Sequence, residues 1–236
     1  MNHNPILVAL DVATGESAIR LATELRPHVG GFKIGLELLS GPGPALVSAL
    51  DELGLPVFCD AKLHDIPNTV SRAAVRLARA GARWITVHAA GGPAMLAAAV
   101  AGASEGRDGT GILAVTVLTS LSAGDLAAVG MGNSPGRQVS RLTRLAAEAG
   151  VEGVVCSVRE LGDVAQVAPE LVRVTPGIRP EGVPVDDQER VATPAEALAR
   201  GADYLVIGRP ITRAKDPVAS AAALAASVVE SADSAR

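Results

Sequence analysis

Two aspartates and a lysine follow an apolar segment within a few positions of one another, as Asp60, Lys62 and Asp65. Successive side chains of a strand alternate between its faces, so Asp60 and Lys62 are expected to point the same way, with Asp65 in the turn that follows. A solvated surface pair is the ordinary explanation for such residues. Charges at the end of an otherwise buried strand are costly, however, and stability does not require them. The spacing therefore predicts a site that handles charge or protons.

A second lysine belongs to the same prediction. Lys33 lies between two apolar residues of a predicted interior strand, and a lysine there needs carboxylates nearby. We expect an array of alternating sign that consists of Lys33, Asp60, Lys62 and Asp65. Opposite unit charges about 4 Å apart gain roughly 4 kcal/mol at an effective dielectric constant of about 20, and they favour each other's ionised form. A lysine held protonated is a proton donor rather than a Schiff-base nucleophile.

Three further positions at predicted strand ends carry polar side chains or glycine. Asp11 ends the first apolar run, where it either joins the site or caps the helix that begins near Gly15. Gly208 and Arg209 follow the last strand, where glycine lets backbone N–H groups approach an anion and arginine offers a bidentate fork. A simple tight turn is the alternative for this last segment.

The long loop before the last helix-and-strand unit adds two candidate anion contacts, Arg179 and Gln188. The acidic residues of the same loop would repel a phosphate. The histidines are weaker candidates: His64 lies in a turn, and His88 is better explained by a structural role. Two carboxylates and a histidine make a Mg²⁺ site conceivable. Because the lysines already supply the counter-charge, the sequence predicts no metal.

Short β-branched runs alternate with longer alanine-rich segments along the whole chain. Glycines end several helical patterns, and cap-then-proline signals begin others, as in Thr193-Pro194. These patterns predict an α/β fold with a single (β/α)8 TIM barrel domain over residues 1–236; a doubly wound open sheet is the alternative, but a glycine-rich nucleotide fingerprint is missing after the first strand. We predict strands near 6–11, 32–35, 57–62, 84–88, 111–117, 153–156, 172–175 and 204–207.

Composition excludes several classes of protein. With 21 Lys and Arg against 25 Asp and Glu, the net charge is −4 and no basic block stands out, so we expect no nucleic-acid partner. No signal peptide or membrane-spanning segment is predicted. Cys59 and Cys156 lie in apolar runs and are expected to be buried free thiols in a reducing compartment, which favours the cytoplasm.

These residues occur in motifs that closely resemble the orotidine 5′-phosphate decarboxylase family. The Asp60–Lys62–Asp65 spacing is shared with sugar-phosphate decarboxylases, but the IPNT that follows it is typical of the nucleotide enzymes. The matches cover almost the whole chain: ALDV at 9–12, FKIG at 32–35, DAKLHDIPNT at 60–69, VHAAGG at 87–92, AVTVLTS at 114–120, VCS at 155–157, VTPGIRP at 174–180 and IGRPIT at 207–212.

The resemblance implies cofactor-independent decarboxylation of orotidine 5′-monophosphate (OMP) to UMP. Lys62 would protonate C6 of the pyrimidine as CO₂ leaves, and Asp60 would face the substrate carboxylate. Asp11 and Lys33 would bind ribose hydroxyls. The resemblance assigns pyrimidine recognition to Thr119 and its neighbour Ser120, and the phosphate contacts to Arg179, Gln188, Gly208 and Arg209.

The resemblance also implies a homodimer in which each active site is shared across the interface. Asp65 and Thr69 would reach into the active site of the other subunit. The expected partners are therefore a second copy of the chain and the small-molecule substrate and product, OMP and UMP, with no cofactor and no metal.

Overall fold

A computed structural model describes residues 4–132, 134–180 and 192–234, with side chains described as far as Val229. Eight parallel strands form a closed barrel in chain order, so the predicted α/β barrel is confirmed. The domain limits at residues 1 and 236 remain a prediction. The strands are Ile6–Ala9 (β1), Gly31–Ile34 (β2), Val57–Leu63 (β3), Trp84–His88 (β4), Gly111–Val115 (β5), Gly153–Val155 (β6), Val172–Thr175 (β7) and Tyr204–Ile207 (β8).

Helices connect the strands and cover the outside of the barrel. None of the helices within the described ranges is long and apolar enough to cross a membrane. Short 3₁₀ helices, Arg26–His28 and Ala89–Gly91, occur in addition to the α-helices. The α-helices are Gly15–Leu25 (α1), Leu36–Ser40 (α2), Pro44–Asp51 (α3), Pro67–Arg79 (α4), Pro93–Gly106 (α5), Ala123–Ala128 (α6), Pro135–Glu148 (α7), Leu161–Val167 (α8), Pro194–Ala199 (α9), Arg209–Thr212 (α10) and Pro217–Ser234 (α11).

The helix ends show the capping residues and glycines that the sequence indicated. Thr193 and Glu196 form a reciprocal capping box at the start of α9. Gly54 and Gly201, which follow α3 and α9, have φ angles of 77° and 91°, a conformation that glycine adopts without steric cost. Local sequence therefore determines where these helices begin and end.

Several strands end earlier than predicted. The strand predicted over residues 6–11 ends at Ala9, because the N–H of Asp11 turns back to donate to the carbonyl of Ala9 (2.9 Å). The strand predicted over 111–117 likewise ends at Val115. Residues such as Asp11, which the apolar pattern assigned to the end of a strand, therefore lie in the loop that follows it.

Two apolar layers hold the barrel together. The larger layer lies between the strands and the helices, and the smaller one fills the barrel interior. Leu7, Phe58 and Trp84 belong to the interior layer. Because side chains alternate along a strand, the interior face of β3 continues from Phe58 to Asp60, and that of β4 from Trp84 to Thr86. The apolar interior therefore gives way to polar side chains towards the carboxyl ends of the strands.

Aromatic and charged residues close the opposite, amino-terminal end of the barrel. The guanidinium of Arg83 binds both carboxylate oxygens of Glu152, at 2.8 and 2.5 Å, and the indole N–H of Trp84 donates to the same carboxylate (2.9 Å). The ring of Tyr204 packs edge-on against Trp84, with 4.8 Å between centroids. This closure makes the carboxyl-terminal mouth the place where chemistry is expected.

Candidate active site

The barrel topology brings four charged side chains together at the carboxyl ends of the first three strands. Lys62 Nζ lies 2.7 Å from Asp60 Oδ2, and Lys33 Nζ lies 3.6 Å from the same oxygen. Lys33 Nζ is also 3.5 Å from Asp11 Oδ1. The result is a chain of alternating sign, Asp11–Lys33–Asp60–Lys62, which we call the charge chain.

The charge chain differs in one member from the predicted array. Asp11 occupies the fourth place that the sequence analysis gave to Asp65. It does not cap α1, because the hydroxyl of Thr14 accepts the hydrogen bond from Ser17 N at that helix start. Asp65 is exposed, and its Oδ1 accepts the N–H of Ile66 at 2.6 Å. Its position beyond the strand end explains the difference, since the chain has already turned towards α4.

Burial and charge act in opposite directions on the Asp60 carboxyl group. Burial alone would raise its pKa, but the ammonium groups of Lys33 and Lys62 and hydrogen bonds from Lys62 and Thr86 hold the pKa below its usual value. Asp60 is therefore an ionised carboxylate at neutral pH. The ammonium of Lys62 lies at the edge of this cluster, with its side chain 28% exposed, whereas that of Lys33 is 10% exposed. Lys62 is the cation that a bound molecule would meet first.

A buried threonine that the sequence analysis did not single out supports the charge chain. The hydroxyl of Thr86, on β4, donates to Asp60 Oδ1 (3.0 Å) and accepts from the backbone N–H of Lys62 (2.9 Å). Threonine is common in strands for reasons of packing alone, so its type gave no signal. The alternation of side chains along the strand could have indicated it, because Thr86 lies two residues after Trp84 and so points to the same interior face.

Gly208 lies directly beside the charge chain. A Cβ added at this position would be 3.3 Å from Asp11 Oδ2 and 3.4 Å from the Cβ of Ala9. Arg209 follows as the first residue of α10 and is half-buried. Since β8 pairs with β1, the predicted anion-binding segment and the charge chain share one rim of the mouth.

The other predicted contacts lie on the loops that follow their strands. Thr119 is half-buried and Ser120 exposed, in a turn closed by the hydrogen bond from Leu121 N to Leu118 O (3.0 Å). Arg179 is buried, and its Nη1 donates to the carbonyl of Ile178 (3.3 Å).

The described structure does not bring Thr69 into the charge chain, and it does not cover Gln188. Thr69 is exposed in the first turn of α4, as is Asp65 in the turn before that helix. Gln188 lies outside the described residues, as do the acidic residues of its loop. The roles given to all these residues remain predictions.

The two histidines lie next to each other, with 5.5 Å between ring centroids. Burial lowers the pKa of His88, and the nearby charges of His64 and Lys62 act in the same direction. Within the described ranges, no three Asp, Glu, His or Cys side chains are grouped so that they could hold a metal ion.

Both cysteines are buried free thiols, as predicted. Burial raises the pKa of Cys59 to about 12 and that of Cys156 to about 12, so neither forms a thiolate at neutral pH. The two thiols therefore provide no nucleophile for the chemistry of the mouth.

Comparison with known proteins gives a consistent result. Residues 4–224 match the model of the orotidine 5′-phosphate decarboxylase / HUMPS family. The chain is 53% identical to orotidine 5′-phosphate decarboxylase of Anaeromyxobacter sp. (strain K), over 94% of this chain and 96% of that protein. It is 49% identical to the enzyme of the same name from Dichelobacter nodosus, over 97% and 100% of the two chains. The crystal structure of orotidine 5′-phosphate decarboxylase from Lactobacillus acidophilus superposes with a TM-score of 0.84 at 36% identity, covering 95% of this chain and 99% of that one.

Proposed function

Because the chain belongs to the orotidine 5′-phosphate decarboxylase / HUMPS family, we propose that it converts OMP to UMP and CO₂ in pyrimidine biosynthesis. Family membership makes it a decarboxylase. The observation that carries the proposed mechanism is the Asp60 carboxylate shared by Lys33 and Lys62 at the barrel mouth. A reaction that leaves negative charge on carbon needs a cation fixed in advance at that point.

Lys62 performs the central step of the proposed mechanism. As the bond between C6 and the carboxylate carbon breaks, its electron pair remains on C6 and CO₂ departs. The ammonium of Lys62 stabilises this developing charge and then gives a proton to C6, forming the C6–H bond of UMP. Because Asp60 holds the ammonium in place beforehand, little reorganisation accompanies the charge development.

The remaining members of the charge chain contribute binding and repulsion. Asp60 faces the substrate carboxylate, and like-charge repulsion there is relieved when CO₂ leaves. Lys33 and Asp11 bind the ribose hydroxyls; their separation of 3.5 Å places a donor and an acceptor side by side, which suits a hydroxyl group.

Contacts remote from the reacting carbon provide most of the substrate affinity. Gly208 and Arg209 bind the phosphate together with Arg179 and Gln188, and Thr119 and Ser120 read the pyrimidine ring. Binding energy from the phosphate can be used to close loops and exclude water from the charge chain. A substrate without the phosphate is therefore expected to lose turnover as well as affinity.

We further propose that the active protein is a cytoplasmic homodimer. Asp65 and Thr69 are exposed just beyond the carboxyl end of β3, which is compatible with a role in the active site of a second copy. Ile66, between them, exposes 66% of its surface although it is apolar, which is also expected of an interface residue. The two buried free thiols are compatible with a reducing compartment.

A CO₂-release assay with OMP tests the activity, with and without EDTA. We expect release at the same rate in both, with UMP as the product. Loss of activity in EDTA, or turnover of a phosphosugar alone, would favour a metal-dependent member of the barrel family. Binding of UMP without CO₂ release from OMP would instead indicate a ligand sensor.

Mixing two inactive variants tests the shared site. Lys62→Ala and Asp65→Ala homodimers should each have low activity. In a mixed dimer, one site carries both changes and the other carries neither. When subunits exchange at random from equal amounts, half of the dimers are mixed, so about a quarter of all sites should regain activity. Activity that stays at the level of the separate variants would contradict a shared site.

A further inference from the structure

The charge chain depends on an irregularity in β3. Residues Phe58 and Cys59 pair with Trp84 and Ile85, but the next pair is Leu63 with Val87, so β3 uses more residues than β4 between these pairs. The additional residues form a bulge, and it contains Asp60 and Lys62. Bulges re-aim side chains and are frequent beside active sites.

Lys62 has an unusual backbone conformation within this bulge. Its φ angle is 48°, and within the described ranges it is the only residue other than glycine with a positive φ. This conformation is sterically unfavourable for a side chain with a Cβ and persists only when surrounding contacts enforce it. Its backbone N–H donates to the hydroxyl of Thr86 in place of a carbonyl on the neighbouring strand.

The same hydroxyl orients the Asp60 carboxylate. Thr86 is completely buried, so its hydroxyl has no competition from bulk water. It donates to Asp60 Oδ1, which directs the other oxygen, Oδ2, towards the ammonium groups of Lys62 and Lys33. One hydroxyl thus acts as acceptor for the lysine backbone and as donor to the lysine's ionic partner.

From this geometry we infer that Thr86 is a positioning residue for decarboxylation: it holds the backbone of Lys62 and the carboxylate of Asp60 in the arrangement that aims the ammonium. The inference rests on the proposed function. It assigns no contact with substrate to Thr86 itself. Serine retains the hydroxyl and should substitute for it, whereas valine has nearly the same shape but can neither donate nor accept.

Three variants test the inference in the full-length protein. Thr86→Val should lower kcat for OMP by about 10- to 100-fold, the effect expected for a hydrogen bond to a charged group, while KM changes less than about threefold. Thr86→Ser should recover most of kcat. Thr110→Val is the matched control, because its hydroxyl donates to the carbonyl of Ala82 (2.7 Å) before β5, at the other end of the barrel. It should leave kcat unchanged.

Two measurements without substrate separate this inference from the proposed function. In Thr86→Val, hydrogen exchange at the Lys62 amide should accelerate, and the pKa of Asp60, followed by carboxyl NMR, should rise because a hydrogen bond to its ionised form is lost. If the unaltered protein releases no CO₂ from OMP, the proposed function fails. If it does release CO₂ and Thr86→Val has ordinary kcat, or if exchange and pKa are unchanged, only the inference about Thr86 is overturned.

Discussion

At the amino-terminal end of the barrel Arg83 and Arg173 each have a carboxylate of their own, whereas at the mouth one carboxylate is shared by two lysines. Arg83 binds both oxygens of Glu152. Arg173 pairs with Asp203 through its Nε (3.1 Å), and the backbone N–H of Arg173 donates to the same carboxylate (2.8 Å). At the mouth, Asp60 Oδ2 alone faces both lysines. The two ends therefore use similar charges in different ways.

The difference lies in what each arrangement leaves available. The guanidinium of Arg83 donates to both oxygens of one carboxylate and lies over the ring of Trp84, 4.5 Å from its centroid. Its donors and its flat face are therefore used within the protein. An ammonium has three donors, and Asp60 takes one of those of Lys62. The first arrangement stabilises the fold, and the second holds a cation ready for another molecule.

Changing Lys62 should have the largest effect and is the most direct way to break this comparison. Lys62→Ala removes the proposed proton donor and the positive charge that would stabilise the carbanion, so kcat for OMP should fall by about 10³-fold or more. UMP binding measured by calorimetry should remain detectable, because the phosphate contacts are retained. Lys215→Ala, at an exposed position after α10, is the control and should keep ordinary kcat. Ordinary turnover by Lys62→Ala would refute the proton-donor assignment.

Arg209 should affect affinity more than turnover, which distinguishes the rim from the charge chain. Arg209→Ala removes the proposed charged partner of the phosphate and should raise KM for OMP by about 10- to 100-fold. The effect should shrink with rising salt, because screening weakens the phosphate contact in the unaltered protein. Arg213→Ala is the matched control, since Arg213 is exposed at the end of the same short helix. Equal KM values for the two variants would contradict the phosphate role.

Glu152 tests the other side of the comparison. Glu152→Gln weakens the fork with Arg83 and should lower the free energy of unfolding by about 2 kcal/mol, with kcat unchanged. The matched control is Glu105→Gln, which affects a more exposed ion pair with Arg79 at 3.6 Å and should change stability by less than about 0.5 kcal/mol. Denaturant unfolding and the CO₂ assay measure both properties. A large loss of kcat in Glu152→Gln would mean that the two ends are not separate in function.

The parts of the molecule that local chemistry determines were predictable from the sequence. Strand and helix order followed from apolar periodicity, and the helix ends followed from signals such as the Thr193 capping box. The pairing of Lys33 with Asp60 followed from the cost of burying a lysine without a carboxylate. Each of these conclusions needs only neighbouring residues or one general rule of burial.

Features that depend on pairing between distant segments were not predictable in the same way. The bulge at Lys62 exists because β3 and β4 pair with a shifted register, and nothing in the residues around Lys62 indicates a positive φ. The role of Thr86 as a hydrogen-bond partner follows from that register. The sequence offered Asp11 either as a site residue or as a helix cap; its ion pair with Lys33 was not predicted, because it depends on the turn after Ala9, where the predicted strand continued to residue 11.

The smallest expected effects concern His88, whose titration reports on the charge chain without substrate. Burial lowers its pKa, with His64 and Lys62 acting in the same direction and Asp60 in the opposite one. Lys62→Ala removes a nearby positive charge, so the pKa of His88 should rise, whereas Asp60→Asn removes a negative charge, so the pKa should fall. Glu152→Gln, at the other end, should leave it unchanged. Imidazole NMR titration measures all three, and shifts of the same sign in the two mouth variants would show that repacking rather than charge controls His88.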